Sequence, residues 1–427
     1  MSTRVVIKNQ SILARVRLIW LMAVLIVGAG CGPEPEAVDL LIDNVTIYSG
    51  VDPMPVVGAL VVTNGEIVAA GPVEQGRYSA TRTIDGSGMY VAPGLWDAHA
   101  HIRSSRDRGL DPGNFLSNGV TSIRDMGSVV ERTQALQREI EEGGLVAPTI
   151  YPSYSTLNGE VFGSHQRAVT TEEEVVVAVG ELASYGASII KIHRATLPEM
   201  LPVVIDESHR HGLKVTGHIP LGVHPLDACE LGMDGIEHLG SFIEALVSLG
   251  DAAGLEAQRA AGQWMLSKEA DPLYECLARR GVSVTPTLIV YQTIAERRSD
   301  GGEMRPEFVE MIEMLKQLTV RLHRAGVPLL AGSDVSDLTD PISVDPGAKL
   351  HAELAMLEQA GIQPGELVGM ASLEVARTVG TNDVSGSIEV GKVADFVLLA
   401  ADPGEAARNL QSIVSVFKSG SVLAPQN

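Results

Sequence analysis

The chain has 427 residues, of which 45% are hydrophobic, and this is enough apolar material for a large buried core. Asp and Glu number 53 against 32 Lys and Arg, so the formal net charge at pH 7 is -21. A strongly acidic chain of this kind argues against a nucleic-acid partner.

Residues 1–30 predict a secretory signal. Basic residues precede the apolar run Leu18–Val27, which is short for a membrane-spanning helix, and small residues then lead to Cys31. This arrangement resembles a bacterial lipobox, which implies cleavage before Cys31, lipid on Cys31 and residues 31–38 as a tether. Gly28 stands where that motif usually has Leu, so plain secretion or an uncleaved anchor is the alternative. We therefore expect an exported lipoprotein on the periplasmic or cell-surface side of a membrane.

Short β-like runs fill residues 39–92 and return in residues 384–427. Within the first block, Asn64-Gly65 is a hairpin signal between two such runs. Between the two blocks the chain alternates apolar strand-like runs with helical segments. Thr171 with Glu174 predicts a capping box, and Pro306 predicts the start of a long amphipathic helix.

Metal-compatible side chains stand at the ends of several of these apolar runs. Residues two apart on a strand point to the same side, so His99 and His101 can bind one divalent ion together. Further along the chain, single groups of this kind end later runs: Lys191, His218, His238 and Asp334. In a (β/α)8 barrel the carboxyl ends of the strands form the active-site face.

The ordered motifs resemble the amidohydrolase superfamily of metal-dependent hydrolases, and the resemblance runs from about residue 39 to the C-terminus. It rests on the segments Pro93–His101, Ile190–Ile192, Val215–His218, Gly235–His238, Gly332–Asp334 and Gly386–Asp395. The most similar branch includes imidazolonepropionase-like proteins and prolidase-type bacterial metallo-dipeptidases. The resemblance implies an α/β chain with a (β/α)8 TIM barrel in residues 93–383. A small β-sandwich would combine residues 39–92 and 384–427.

The resemblance also implies two divalent metal ions, for which zinc is expected because it suits histidine and carboxylate ligands and has no redox chemistry. One ion would be bound by His99 and His101, and the other by His218 and His238. Lys191, carboxylated by carbon dioxide, would bridge them as a carbamate. If Lys191 has no such role, the site holds one metal.

Asp334 would bind metal and transfer protons while a metal-bound hydroxide attacks the amide carbonyl. In similar enzymes a histidine in the loop after the third strand contacts the substrate carbonyl or oxyanion. His165 is therefore a catalytic and substrate-binding candidate, with a solvated loop histidine as the alternative. Tyr154 in the same loop is a second candidate for substrate binding.

Arg194 could bind a substrate α-carboxylate through paired hydrogen bonds. Because adjacent residues on an extended segment point in opposite directions, at most one of His193 and Arg194 is expected to face the pocket. A surface salt bridge is the alternative for Arg194. Cys229 and Cys276 lie in predicted helices, and we expect buried thiols there rather than a disulfide.

The sequence thus predicts a binuclear hydrolase that cleaves amide bonds in small substrates such as dipeptides, including Xaa-Pro-like ones, or N-acyl amino acids. One alternative is a mononuclear deaminase or imidazolonepropionase-like cyclic-amide hydrolase. Another is a surface lipoprotein that binds ligands without catalysis. Whether the chain forms a homo-oligomer is left open by the sequence.

Overall fold

The structure is a computed structural model that describes residues 34–103, 109–299, 302–337, 340 and 344–423. The predicted signal and Cys31 lie outside these residues. The first strand begins at Glu36, so the last residues of the predicted tether belong to a sheet. Within the described ranges, no helix combines the length and the apolar character needed to cross a membrane.

Strands from both ends of the chain form one eight-stranded sheet, in the order β18-β17-β16-β5-β1-β2-β3 with β4 paired to β1. Its members are β1 (Glu36–Ile47), β2 (Val56–Thr63), β3 (Glu66–Gly71), β4 (Tyr78–Asp85), β5 (Tyr90–Pro93), β16 (Phe396–Leu399), β17 (Ile413–Lys418) and β18 (Ser421–Val422). The two chain ends meet where β16 pairs antiparallel with β5. The sandwich boundaries at residues 39–92 and 384–427 stay a prediction.

The middle of the chain contributes two parallel sheets. The first has the order β15-β6-β7-β8 and the second β10-β9-β11-β12-β13-β14. Their strands are β6 (Leu95–His101), β7 (Val120–Asp125), β8 (Thr149–Pro152), β9 (Thr156–Asn158), β10 (Gln166–Ala168), β11 (Ile190–Ile192), β12 (Val215–Gly217), β13 (Gly235–Glu237), β14 (Ser283–Thr285) and β15 (Val335–Ser336). The predicted α/β content with parallel sheets is therefore confirmed.

Backbone hydrogen bonds connect the two parallel sheets on both sides. On one side, the Ser188 amide donates to the Pro152 carbonyl at 2.8 Å. On the other, the Ala98 amide donates to the Ala331 carbonyl at 2.9 Å, and the Leu330 amide donates to the Val284 carbonyl at 2.9 Å. A closed eight-stranded barrel fits these bonds but stays a prediction.

Helices alternate with the parallel strands. They are α1 (Pro112–Ser117), α2 (Val130–Glu141), α3 (Glu172–Ser184), α4 (Leu201–Arg210), α5 (Pro225–Leu231), α6 (Leu239–Ser248), α7 (Gly254–Leu266), α8 (Asp271–Arg280), α9 (Leu288–Arg297), α10 (Pro306–Arg324), α11 (Pro346–Ala360), α12 (Pro364–Met370) and α13 (Leu373–Thr378). Short 3-10 turns occupy Pro198–Met200, Lys268–Ala270 and Ala407–Gln411. The predicted capping box of Thr171 and Glu174 is present, and Pro306 begins α10, as predicted.

The short strands β11, β12 and β13 are buried along their whole length. Parallel strands are buried on both faces because helices cover them, and apart from Lys191 and Glu237 the residues of these three strands are apolar or small. A polar group at the carboxyl end of such a strand can therefore face only the interior or a cavity. This rule fixes the direction of Lys191, His218 and His238.

Helices α5 and α8 pack side by side and are joined by a disulfide between Cys229 and Cys276. Their Cα atoms are 6.3 Å apart, which lies within the range that a disulfide spans. Our prediction of two free thiols is therefore wrong. The sequence separation of 47 residues carries no information on this distance, which depends on how the two helices pack.

Candidate metal centre

The carboxyl ends of the parallel strands open into a cavity of about 600 Å³. All the predicted metal ligands and two of the three predicted substrate contacts line it, namely His99, His101, His165, Lys191, Arg194, His218, His238 and Asp334. The fold thus brings together residues that are up to 235 positions apart in the sequence, from His99 to Asp334. The third predicted contact, Tyr154, lies elsewhere.

His99, His101 and Asp334 form the tightest cluster of ligand atoms in the described part of the chain. Their ligand atoms lie within 4.8 Å of one another, so they can hold a metal ion. Asp334 Oδ1 is 3.4 Å from His99 Nε2 and 3.3 Å from His101 Nε2. Burial alone would raise the pKa of Asp334, but the surrounding histidines hold it well below its ordinary value. The carboxylate is therefore ionised at neutral pH.

Each imidazole of the strand pair is oriented by a hydrogen bond at Nδ1. His99 Nδ1 donates to Glu237 Oε2 at 2.8 Å, and His101 Nδ1 donates to the Gly127 carbonyl at 3.0 Å. With the proton held on Nδ1, the Nε2 atom of each ring carries a lone pair toward the cavity. The Nε2 atoms are 3.3 Å apart, as expected for two ligands that converge on one ion.

Glu237 is a buried carboxylate that our sequence reading left without a role. Besides accepting from His99, it accepts from Arg124 and from Thr216, each at 2.6 Å. Burial would raise the pKa of Glu237, but the Arg124 guanidinium and the bond from His99 hold it well below its ordinary value. Ionised Glu237 therefore fixes the tautomer of His99.

Lys191 and His218 carry buried nitrogens with no hydrogen-bond partner among the described residues, Lys191 Nζ and His218 Nδ1. Lys191 is only 2% exposed, and burial lowers its pKa to about 8. The His218 ring lies 4.7 Å from that of His238, centroid to centroid. Unpartnered buried donors are rare in proteins. An unpartnered lysine amine and an unpartnered imidazole nitrogen that line the same cavity fit a site for a metal ion.

Three non-glycine residues at the site have left-handed backbone conformations, which store strain and often mark functional positions. The φ angles are 66° at His238, 50° at Asp334 and 49° at Thr287. The Asp334 segment is held by the buried carboxylate of Asp97, which accepts from the amide and hydroxyl of Ser333 at 2.9 and 2.5 Å. The backbone is thus shaped around the ligands.

Glycine is required just before Asp334. A Cβ atom on Gly332 would lie 2.6 Å from Thr285 Cγ2 and 2.9 Å from the backbone nitrogen of His99. Such distances are shorter than real Cβ contacts. The close approach of the Gly332 segment to β6 is what places Asp334 beside the histidine pair.

His165 faces the cavity from the loop between β9 and β10. Its ring centroid is 5.9 Å from that of His101. Burial lowers its pKa to about 4, so the ring is neutral near pH 7. His165 Nδ1 has no partner in the described ranges. A neutral imidazole in this position can offer one hydrogen bond to a bound molecule.

His193 and Arg194 both line the cavity, so the expectation that at most one of them would do so is wrong. The chain leaves regular strand geometry after Ile192, and the strict alternation of side chains ends there. The His193 ring packs 4.4 Å from that of His218, and Arg194 forms an ion pair with Glu244 at 3.5 Å. The alternative of a salt bridge for Arg194 therefore also applies.

Tyr154 does not reach the cavity, which corrects our prediction of substrate contact. Its hydroxyl lies 2.9 Å from Gln137 Oε1 and 3.1 Å from the Tyr185 carbonyl, so it ties the loop to α2 and to the end of α3. The side chain is only 2% exposed. The backbone at Tyr154 is left-handed, with a φ of 55°.

The sequence reading missed the apolar wall of the cavity. Val290, Tyr291 and Ile294 on α9 line one side, and Phe162, which is 60% exposed, lines another. The Tyr291 hydroxyl accepts from the Gly240 amide at 2.8 Å, which fixes the ring. No local motif marks these residues. The one sequence feature that could have indicated them is that α9 directly follows β14, at the carboxyl ends of the strands where the ligands lie.

The sequence profile of the Amidohydrolase family matches residues 90–425. The chain belongs to this family. It is therefore a metal-dependent hydrolase that acts on carbon–nitrogen bonds, and the matched region contains every metal ligand predicted above.

Among curated proteins, this chain is 23% identical to ochratoxinase from Aspergillus niger over 402 residues, and the match covers 78% of this chain and 75% of the relative. It is 25% identical to imidazolonepropionase from Pseudomonas putida over 375 residues, covering 79% and 86%.

Solved structures similar to the chain include a Xaa-Pro dipeptidase, with a TM-score of 0.68, 19% identity and coverage of 90% of this chain and 99% of that one. Another is Aspergillus niger ochratoxinase, with a TM-score of 0.70, 20% identity and coverage of 91% and 96%. At these identities the likeness shows a shared fold.

Proposed function

We propose that this amidohydrolase is a binuclear enzyme that cleaves the amide bond of dipeptides, including Xaa-Pro-like ones, or of N-acyl amino acids. The observation that carries the proposal is the position of Lys191, whose buried Nζ has no partner in the described ranges and lies in the same cavity as both histidine pairs. A carbamate on Lys191 would bridge one ion on His99 and His101 to another on His218 and His238. The fold underlying this site would be a closed (β/α)8 barrel beside a β-sandwich.

When bound, two divalent ions would polarise the amide carbonyl and lower the pKa of the attacking water. Asp334 is ionised and lies within 3.4 Å of both His99 and His101, so its carboxylate is placed to take a proton from that water. The same group would then return the proton to the leaving nitrogen. Neutral His165 would donate a hydrogen bond to the carbonyl oxygen as negative charge develops there.

The cavity walls support a small amide substrate with one apolar side and one anionic group. Val290, Tyr291 and Ile294 offer an apolar surface, while Arg194 provides a cation on the lining. A guanidinium suits a substrate carboxylate because it can form paired hydrogen bonds. A volume of about 600 Å³ is of the order expected for small-molecule sites. Names of similar proteins, including a Xaa-Pro dipeptidase and ochratoxinase, support the same substrate class.

The test is hydrolysis of a panel of dipeptides and N-acyl amino acids by the zinc-loaded protein prepared with bicarbonate. We expect amino-acid release from at least one class, and a much lower kcat for Asp334→Asn, which removes the proton acceptor. Lys316→Ala is the control, because Lys316 forms an ion pair with Glu313 and does not line the cavity. No release from any member of the panel would refute the substrate class.

A second candidate is a mononuclear deaminase or cyclic-amide hydrolase. It is favoured by one observation, that only His99, His101 and Asp334 already lie close enough to share an ion in the described part of the chain. Metal content separates the two candidates. The binuclear proposal expects about two ions per chain, falling to about one or fewer in Lys191→Ala. One ion in both proteins would favour the mononuclear reading.

We also propose that the chain is exported and lipid-anchored through Cys31. The disulfide between Cys229 and Cys276 supports export, because disulfides persist in oxidising compartments and are rare in reducing ones. Metabolic labelling with a radioactive fatty acid tests the anchor. Labelled parent protein and unlabelled Cys31→Ser would support the lipid anchor. An unlabelled parent would refute the anchor and favour secretion without a lipid.

A further inference from the structure

Helix α9 begins beside the metal centre with an unusual N-terminal cap. Its N-cap residue is Thr287, a residue type that commonly accepts a hydrogen bond from its own helix. Here the Thr287 side chain forms no such bond. Its Oγ1 instead lies 2.8 Å from Nδ1 of His238. The hydroxyl that would cap the helix is therefore engaged with a residue proposed to bind metal.

The first backbone amides of α9 form hydrogen bonds with another helix. The Ile289 amide donates to Glu353 Oε2 of α11 at 2.8 Å, across 64 residues of sequence, and the Leu288 amide also bonds to this carboxyl group. Glu353 is fully buried. Since the first amides of a helix have no partner within it, they need an external acceptor. Glu353 supplies the acceptor that Thr287 does not.

The same face of α11 also supports the other side of the centre. Lys349 precedes Glu353 by four residues, a spacing that puts both side chains on one face of the helix. Lys349 Nζ donates to the main-chain carbonyl of Asp334 at 3.3 Å and to Asp340 Oδ2 at 2.8 Å. Adjacent turns of α11 thus contact the segments that carry Asp334 and, through Thr287, His238.

We propose that Glu353 is a positioning residue of the metal centre. By capping α9 it leaves the Thr287 hydroxyl free to accept from His238 Nδ1, so that His238 presents Nε2 to the metal. The inference rests on the proposed role of His238 as a ligand. Groups that orient metal-binding histidines through the second ring nitrogen affect affinity strongly when they are removed.

Glu353→Ala removes the external acceptor and leaves the first amides of α9 uncapped in a buried place. The Thr287 hydroxyl, at the N-cap of the same helix, is a replacement acceptor, and it would turn toward its own helix and release His238. We expect metal affinity to fall roughly 10- to 100-fold. Glu353→Gln keeps a carbonyl acceptor of the same length and should bind metal much as the parent does.

The experiment uses the full-length chain loaded with Co²⁺, a probe whose visible ligand-field spectrum reports ligand geometry without any substrate. Affinity is measured by competition with a chelator. Leu357→Ala is the matched control, because Leu357 is buried one turn further along α11 but contacts the hydrophobic core. We expect a weakened affinity and an altered spectrum for Glu353→Ala only, with parent-like values for Glu353→Gln and Leu357→Ala.

Thr287 tests the same link from its other end, which matters if Glu353→Ala does not fold. Thr287→Val removes the hydroxyl and should reproduce the cobalt defect, whereas Thr287→Ser keeps the hydroxyl and should not. A protein with both Glu353→Ala and Thr287→Val should bind Co²⁺ no more weakly than whichever single variant binds it less tightly. The two losses should not add, because both substitutions act on His238.

Parent-like affinity and spectrum in Glu353→Ala or in Thr287→Val would overturn the inference, as would additive losses in the double variant. The outcome is separable from that of the proposed function. A parent that binds Co²⁺ tightly but hydrolyses no amide would refute the proposed substrate class and leave the positioning role of Glu353 standing. A parent that binds no Co²⁺ would refute both.

Discussion

Glu353 also predicts a dependence of stability on pH. Burial is the main cause that raises the pKa of its carboxyl group from the ordinary 4.5 to about 8, and the amides of Ile289 and Leu288 only partly oppose this. The folded protein therefore holds a proton at neutral pH that the unfolded chain releases. As pH rises from 4.5 to about 8, the free energy of unfolding must fall.

The magnitude follows from the two pKa values. Each pH unit between them is worth about 1.4 kcal/mol, so the whole effect is about 5 kcal/mol, of which about 3 kcal/mol falls between pH 5 and pH 7.5. Glu353→Gln cannot release a proton and should lose this contribution to the slope. The free energy of unfolding of the parent should thus fall by about 3 kcal/mol more than that of the variant over this interval.

Urea unfolding of both proteins at pH 5 and pH 7.5, in the same metal buffer, measures this difference. Comparing the two proteins cancels the pH dependence that metal binding and other groups contribute to both. Leu357→Ala serves as the control, since it lowers stability without changing a titrating group and should give a curve parallel to the parent. Parallel curves for parent and Glu353→Gln would refute the reasoning that burial keeps Glu353 protonated.

Three further outcomes are expected. Replacing both Cys229 and Cys276 by Ala should lower the free energy of unfolding by up to about 4 kcal/mol, from the entropy of a 47-residue loop, as measured by urea titration. Glu237→Gln should weaken zinc binding roughly 10- to 100-fold in chelator competition, because His99 loses its anionic partner. Gly332→Ala should cost about 1 to 3 kcal/mol of stability and lower kcat, because its Cβ has no room and must displace the ligand segment. Unchanged values would contradict each argument in turn.

The ligand-bearing residues could be predicted because their signal is local. A strand of alternating geometry puts His99 and His101 on one side within three residues. Lys191 lies within the short buried strand β11, and His218 and His238 directly follow the short buried strands β12 and β13. Chain direction then brings these ends to one edge of the parallel sheets. No long-range packing needs to be known for that step, only that the strands are parallel.

The sequence could not predict contacts set by helix packing or by departures from regular backbone. The approach of Cys229 to Cys276 depends on how α5 lies against α8. The direction of Tyr154 depends on one residue with positive φ, and the joint exposure of His193 and Arg194 to the cavity depends on where β11 ends. In an extended segment such as β11, a shift of one residue reverses the inward or outward direction of a side chain.

The same distinction separates the proposed ligands from the groups that orient them. His99 is followed two residues later by its partner ligand, but the carboxylate that fixes its tautomer, Glu237, is 138 residues away. Ser333 is held by a carboxylate 236 residues away, and Ile289 by a carboxyl group 64 residues away. Because buried carboxyl groups are costly unless they form hydrogen bonds, their presence in the core is itself a signal that they hold something in place. That signal becomes readable only when burial is known, so we infer that these supporting groups, rather than the ligands, are where a structure adds most to the sequence.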